Sequence, residues 1–156
     1  MVLGPRLDAM KLAEKGRFAP PPTLEGPAQS VAEEVASWRR VHARTHWLLG
    51  DERAVDGADF YVGEDELGHI HLDGEAHVFH TRLVADALLA AGLGQPFRWS
   101  RNIVVFSIER EADVAHALWL FRLNYDHCLG TPTKELLARV ASHRRSSADR
   151  KASARA

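Results

Sequence analysis

Between Asp59 and Phe79 the chain changes side-chain character every second residue, in three short runs broken by two turn-forming clusters. The runs are Asp59-Phe60-Tyr61-Val62, Glu66 to Leu72 and Ala76 to Phe79, and the breaks are Gly63-Glu64-Asp65 and Asp73-Gly74. A period of two marks half-buried strands, and Gly with Asp supplies tight turns. The segment therefore predicts an antiparallel meander of three strands, which commits the rest of the chain to covering one sheet face. Helical spacing supplies that cover. From Ser30, the expected cap, Val31, Val35, Trp38, Val41 and His42 recur on one face, with Glu33 and Glu34 in the first turn. Thr81 is placed to cap a helix through Leu83, Val84, Ala87, Leu88 and Ala91 that stops at Gly92. Phe97-Arg98-Trp99 and Ile103 to Ile108 read as two further strands joined by Ser100-Arg101-Asn102.

The most apolar helix is expected from about Glu111 to Asp126, where Trp119, Leu120 and Leu123 widen a stripe of Val114, Leu118, Phe121 and Tyr125. So wide a stripe needs cover on two sides. A last helix near Thr133 to His143, with Leu136, Leu137 and Val140, is one source; a homodimer through the 111–126 helix is the other. The pattern predicts a single α+β domain whose antiparallel sheet of about five strands, meander then hairpin, is packed by helices.

At 156 residues one domain buries about two-thirds of the surface its unfolded chain exposes, enough for a core without staples. The domain is placed at residues 29–143. Residues 1–28 read as a flexible N-terminal segment, with a short helix around Leu7 to Lys15 and a Pro20-Pro21-Pro22 linker. Residues 144–156, basic and rich in Ser and Ala, read as a disordered tail. With 20 Lys and Arg against 21 Asp and Glu, the net charge of -1 gives no field for nucleic acid or an anionic membrane. No run of 18 apolar residues and no leader-like start occurs, so a cytoplasmic location is expected. Cys128 is the single cysteine, which rules out an intramolecular disulfide and reads as a buried structural thiol. Neither a Gly-rich phosphate loop nor G-x-S-x-G is present, which argues against a nucleotide cradle and a hydrolase elbow.

Histidine, with nine copies, is the residue type that carries chemistry. His69 and His71 bracket Ile70, and alternation sends both imidazoles to one sheet face, about 7 Å apart along the strand. His77 follows in the next strand, and the turn decides where it goes. A two-residue Asp73-Gly74 hairpin sends His77 to the opposite face, whereas a connection with an odd number of residues makes all three imidazoles converge. Convergence beside Glu66, Asp73 or Glu75 would suit zinc or iron on His69, His71 and His77. An acid–base or ligand-orienting pair and ordinary hydrogen-bonded histidines are the other readings of H-x-H. His42 and His46 stand at helical i, i+4 spacing, which could chelate a metal but, without the intervening Glu of H-E-x-x-H, reads rather as a surface pair, and Trp99, beside Arg98 and a turn, reads as the mouth of a pocket.

The run Glu66-Leu67-Gly68-His69-Ile70-His71, then His77-Val78, Ala90-Ala91-Gly92-Leu93-Gly94-Gln95-Pro96 and Ile108-Glu109-Arg110-Glu111, with a Leu-rich helix ending Asn124-Tyr125, resembles the luciferase domain family. The likeness covers roughly Asp59 to Tyr125, and Glu66, His69, His71, His77 and Arg110 match that family's pattern residue by residue. The resemblance implies oxidation of a hydroxypyrone by molecular oxygen with light emission and no organic cofactor, as in the fungal branch. Pro96-Phe97 stands where that branch has His-Pro, and the chain looks closer to the short bacterial members.

Together these readings lead to a small-molecule binding domain, with oxidoreductase chemistry expected by resemblance only. His69 and His71 would orient or deprotonate an acidic enol, Arg110 would hold its anion, and Glu66, His77 and Trp99 would line the site. No metal is favoured. A zinc or iron module and a non-catalytic interaction domain are the alternatives.

Overall fold

The computed structural model describes residues 15–155, the side chains of Glu52 and 145–153 excepted. The expected helix from Leu7 lies outside the described residues, apart from Lys15.

Helix α1 spans Pro27–Ser37, with Pro27 at its start where a missing N–H costs nothing. It buries Ala28, Val31, Ala32 and Val35. Two expectations fail here, because the helix begins before Ser30 and stops before Val41 and His42. Trp38 turns extended and Arg40 takes a left-handed φ of 67°, so the chain leaves the helix and enters strand β1, Val41–Leu48. The spacing of His42 and His46 misled because four residues are one helical turn and also two full strand repeats.

The meander continues through β2 (Asp51–Val62), β3 (Asp65–His71) and β4 (Glu75–Phe79). Helix α2 (Arg82–Ala90), capped by Thr81 on the Val84 N–H, then leads to the hairpin of β5 (Gln95–Phe97) and β6 (Ser100–Ser107). The sheet runs β1-β2-β3-β4-β6-β5, antiparallel at every pairing. It has six strands, in keeping with the expected α+β sheet of about five, and β1 is the one not anticipated. A single 3₁₀ turn, Glu111–Asp113, precedes α3 (Val114–Cys128), and α4 covers Thr133–Arg155. That helix continues past His143, its expected end, because nothing after Pro132 is Gly or Pro and the segment is rich in Ala, Arg and Lys.

The four α-helices among the described residues lie over one face of the sheet. α1 packs on β1 and β2, α3 on β3 and β4, α2 on β6, and α4 on α2 and α3. Phe60, Leu67, Ile70, Val78 and Val104 from the sheet meet Val35, Leu88, Leu120, Phe121 and Leu123 from the helices. Leu136 and Val140 of α4 are buried, and His143 stacks on Trp119 with ring centroids 3.9 Å apart, so the last helix covers the wide stripe of α3. No helix among the described residues is long and apolar enough to cross a membrane.

Candidate functional site

The other sheet face holds the polar residues, and three local features decide which of them meet. The first is the β3–β4 turn. His69 pairs with His77 and Ile70 with Ala76, so three residues, Leu72 to Gly74, join the ladder ends, and the odd number brings His77 onto the face of His69 and His71. Gly74 closes this turn at φ 89°, its N–H donating to the His71 carbonyl.

The second and third features are β-bulges. Phe60 pairs with Gly68 but Tyr61 with Glu66, leaving Leu67 as an extra residue of β3. Leu67 stays in the core while Glu66 reaches the histidine face, which is how a spacing of three places Glu66 beside His69. Gly68 makes this geometry feasible: a Cβ there would lie 2.4 Å from the His77 carbonyl oxygen. At the other end His46 pairs with Gly57 and Trp47 with Val55, so Asp56 is the extra residue of β2. Its carboxylate reaches His71.

Four imidazoles consequently meet, His46 from β1, His69 and His71 from β3, and His77 from β4. His46 stacks on His69 at 4.0 Å between centroids; His69 and His71 are 4.9 Å apart, and His71 and His77 4.5 Å. Each ring has a carboxylate partner. His46 Nδ1 is 2.7 Å from Asp59 Oδ1, His69 Nδ1 2.9 Å from Glu66 Oε1, His71 Nδ1 2.8 Å from Asp56 Oδ2, and His77 Nε2 2.7 Å from Glu75 Oε1. A carboxylate only accepts, so the named nitrogen carries the proton in the neutral ring and the other keeps its lone pair. Burial, with the neighbouring His46, holds His69 well below the ordinary histidine value, and burial lowers His77 despite Glu75. Both are neutral at pH 7, which makes them weak proton acceptors and good lone-pair donors.

Above the rings lies a cavity of about 360 Å³. His46, His69, His71 and His77 form its floor, with Asp56 and Asp59; Trp47, Phe79, Phe97, Trp99 and Ile103 are among its apolar walls. The β1–β2 turn contributes Leu48, Leu49 and Gly50, and the β5–β6 turn Trp99, which is 61% exposed with the Arg98 guanidinium over its ring at 4.3 Å.

One wall comes from outside the sheet. Residues 15–20 are stitched along β1: Arg44 Nη2 donates to the Gly16 carbonyl, Trp47 Nε1 to that of Arg17, the Thr45 N–H to that of Ala19 and the Thr45 hydroxyl to that of Pro20. This strap delivers Lys15, whose Nζ is 2.8 Å from the fully buried Glu66 Oε2.

The structure thus brings together Glu66, His69, His71, His77 and Trp99 of the expected site residues. Arg110 stands apart: its side chain is 78% exposed, beside Asp113 in the 3₁₀ turn, and it does not line the cavity. The cation at the site is Lys15, which no sequence pattern marked. Asp56 and Asp59 were also missed, and His46 was singled out only as the helical partner of His42, not as a member of this group. Only the alternation of Val41, Ala43, Thr45 and Trp47 against His42, Arg44, His46 and Leu48 could have revealed His46. Cys128 is a free, half-buried thiol, pushed up to about 11 by burial.

Residues 64–124 match the family described as Luciferase domain, in agreement with the resemblance of the sequence motifs. The matched span runs from the start of β3 into α3; it contains Glu66, His69, His71, His77, Trp99 and Arg110 and leaves out Lys15, His46, Asp56 and Asp59. No curated protein and no solved structure matches the chain.

Proposed function

We propose that this chain is a small-molecule-binding domain, its ligand a flat, hydroxylated or enolic ring lying in the cavity with its oxygens toward the histidines. The observation that carries the reading is the cavity itself, whose volume falls within the range of natural ligand sites and whose apolar walls surround a polar floor. Trp47, Phe97 and Trp99 offer faces for a ring, and the imidazoles and Lys15 offer a few converging polar groups. His69 orients the ligand rather than strips its proton, since burial holds its imidazole well below the ordinary histidine value and makes it a weak base. The luciferase-domain match supports dioxygen addition to an electron-rich ring as the reaction class. In that step the ligand loses two electrons and dioxygen, reduced to the peroxide level, stays bound to it.

Thermal unfolding with a panel of hydroxypyrones, catechols and enolic acids tests the binding. At least one compound is expected to raise Tm with its concentration, and Phe97→Ala with Trp99→Ala to weaken that binding at least tenfold. A panel that leaves Tm unmoved, or a double variant that binds as well as the parent chain, removes the proposal.

A further inference from the structure

The carboxylate contacts of His46, His69 and His71 share one feature: in each, Nδ1 faces the acid. With the closer carboxylate on Nδ1, each ring presents Nε2 as its lone-pair atom, although that of His46 also stands 3.7 Å from Asp56 Oδ2. The His71 Nε2 is buried and makes no hydrogen bond. One nitrogen from each of these rings lies within 4.8 Å of the other two, on adjacent strands of a rigid sheet. A tetrahedral ion with metal–nitrogen distances near 2.0 Å needs its ligand nitrogens about 3.3 Å apart, so the rings have to draw together on binding, and His46 and His69, which stack with 10° between their planes, have to splay.

We propose that His46, His69 and His71 hold a first-row divalent transition metal through their Nε2 atoms, with Asp59, Glu66 and Asp56 as the carboxylates that orient the three rings. An imidazole bonded to a carboxylate through its other nitrogen is the usual arrangement at protein metal centres, where it fixes the tautomer and raises ligand basicity. Three neutral imidazoles without a thiolate suit zinc, iron(II) or copper rather than magnesium or calcium. Lys15 Nζ lies 2.8 Å from Oε2 of Glu66, whose Oε1 accepts from His69. Three protein ligands leave a coordination position toward the cavity, where a ligand oxygen fits. Two members of the expected trio remain, and His46 replaces His77, whose Nε2 rather than Nδ1 faces its acid. The assignment deepens the reading of the cavity as a ligand site and rests on it.

The test uses the full chain, stripped with a chelator, incubated with Zn²⁺ or Co²⁺, desalted and analysed by plasma mass spectrometry. The expected result is about one ion per chain, with a visible ligand-field band for cobalt. His46→Ala, His69→Ala and His71→Ala each abolish uptake, Asp59→Asn weakens affinity 10- to 100-fold, and His143→Ala leaves both unchanged. Circular dichroism of the stripped variants separates lost ligation from lost folding, and His71→Gln serves where the Ala variant fails to fold. Uptake below a tenth of an ion per chain overturns the site, as does uptake that survives all three histidine substitutions or falls equally with His143→Ala. Ring compounds that bind a chain taking up no metal would remove the metal and keep the cavity. A metal-loaded chain that binds none of them would do the opposite.

Discussion

The two faces of this sheet are built by opposite rules. On the helix-covered face, Phe60, Ile70, Val78 and Val104 keep the plain alternation of the strands and meet an apolar layer. On the cavity face, the residues that matter are placed by departures from alternation: Leu67 and Asp56 are extra residues in their ladders, and the β3–β4 turn has an odd length. The first face is stabilised by burial, and the second collects buried acids and imidazoles that a stability-driven design would leave out.

Substitutions sharpen that contrast. Phe121→Ala removes a fully buried ring that meets Phe60 edge-on, at 5.7 Å between centroids, and is expected to cost about 3–5 kcal/mol in denaturant unfolding. A cost below 1 kcal/mol would show that this face does not carry the fold.

A smaller effect is expected at His80, beyond the end of β4. Burial, with His127 adding to it, lowers its imidazole to about 3. Between that value and 6.5 the unfolded chain binds the proton and the folded chain does not. Stability is therefore retained above pH 6.5 and falls as pH drops through the window, by about 2 kcal/mol between pH 6.5 and pH 5. Chemical denaturation at the two pH values should show this loss in the parent chain, with His80→Gln flattening it; identical slopes would place the acid sensitivity elsewhere.

The smallest change is expected on the cavity face. In metal-free protein His71→Ala should alter unfolding free energy by about 1 kcal/mol or less, because the side chain is partly exposed and gives up one hydrogen bond. A loss as large as that of Phe121→Ala would erase the distinction between the faces.

The same division explains what was legible in the sequence. Alternation from Asp59 to Phe79 revealed the meander, and H-x-H on β3 revealed two of the four rings, because both follow directly from the strand period. The position of His77 depended on the length of a turn, which Asp73-Gly74 left open. His46 was hidden by a spacing that fits helix and strand alike, and β1 with it. Asp56 and Glu66 reach the rings through bulges, whose positions are set by the neighbouring strand and not by residue type. Lys15 arrives on a strap bonded through backbone carbonyls, which any sequence can supply. Arg110 entered through family likeness, and its exposed place just before the 3₁₀ turn takes it away from the cavity.

The three-residue connection from Leu72 to Gly74 acts as a length gauge for the whole site. A chain with one residue more or fewer there would keep all nine histidines, and a neutral residue would leave the net charge of -1 untouched. Yet the strand parity would invert, His77 would turn under the helices, and Ala76 or Val78 would face the cavity in its place. What this protein can bind is thus set by the count of residues in a turn as much as by their chemistry.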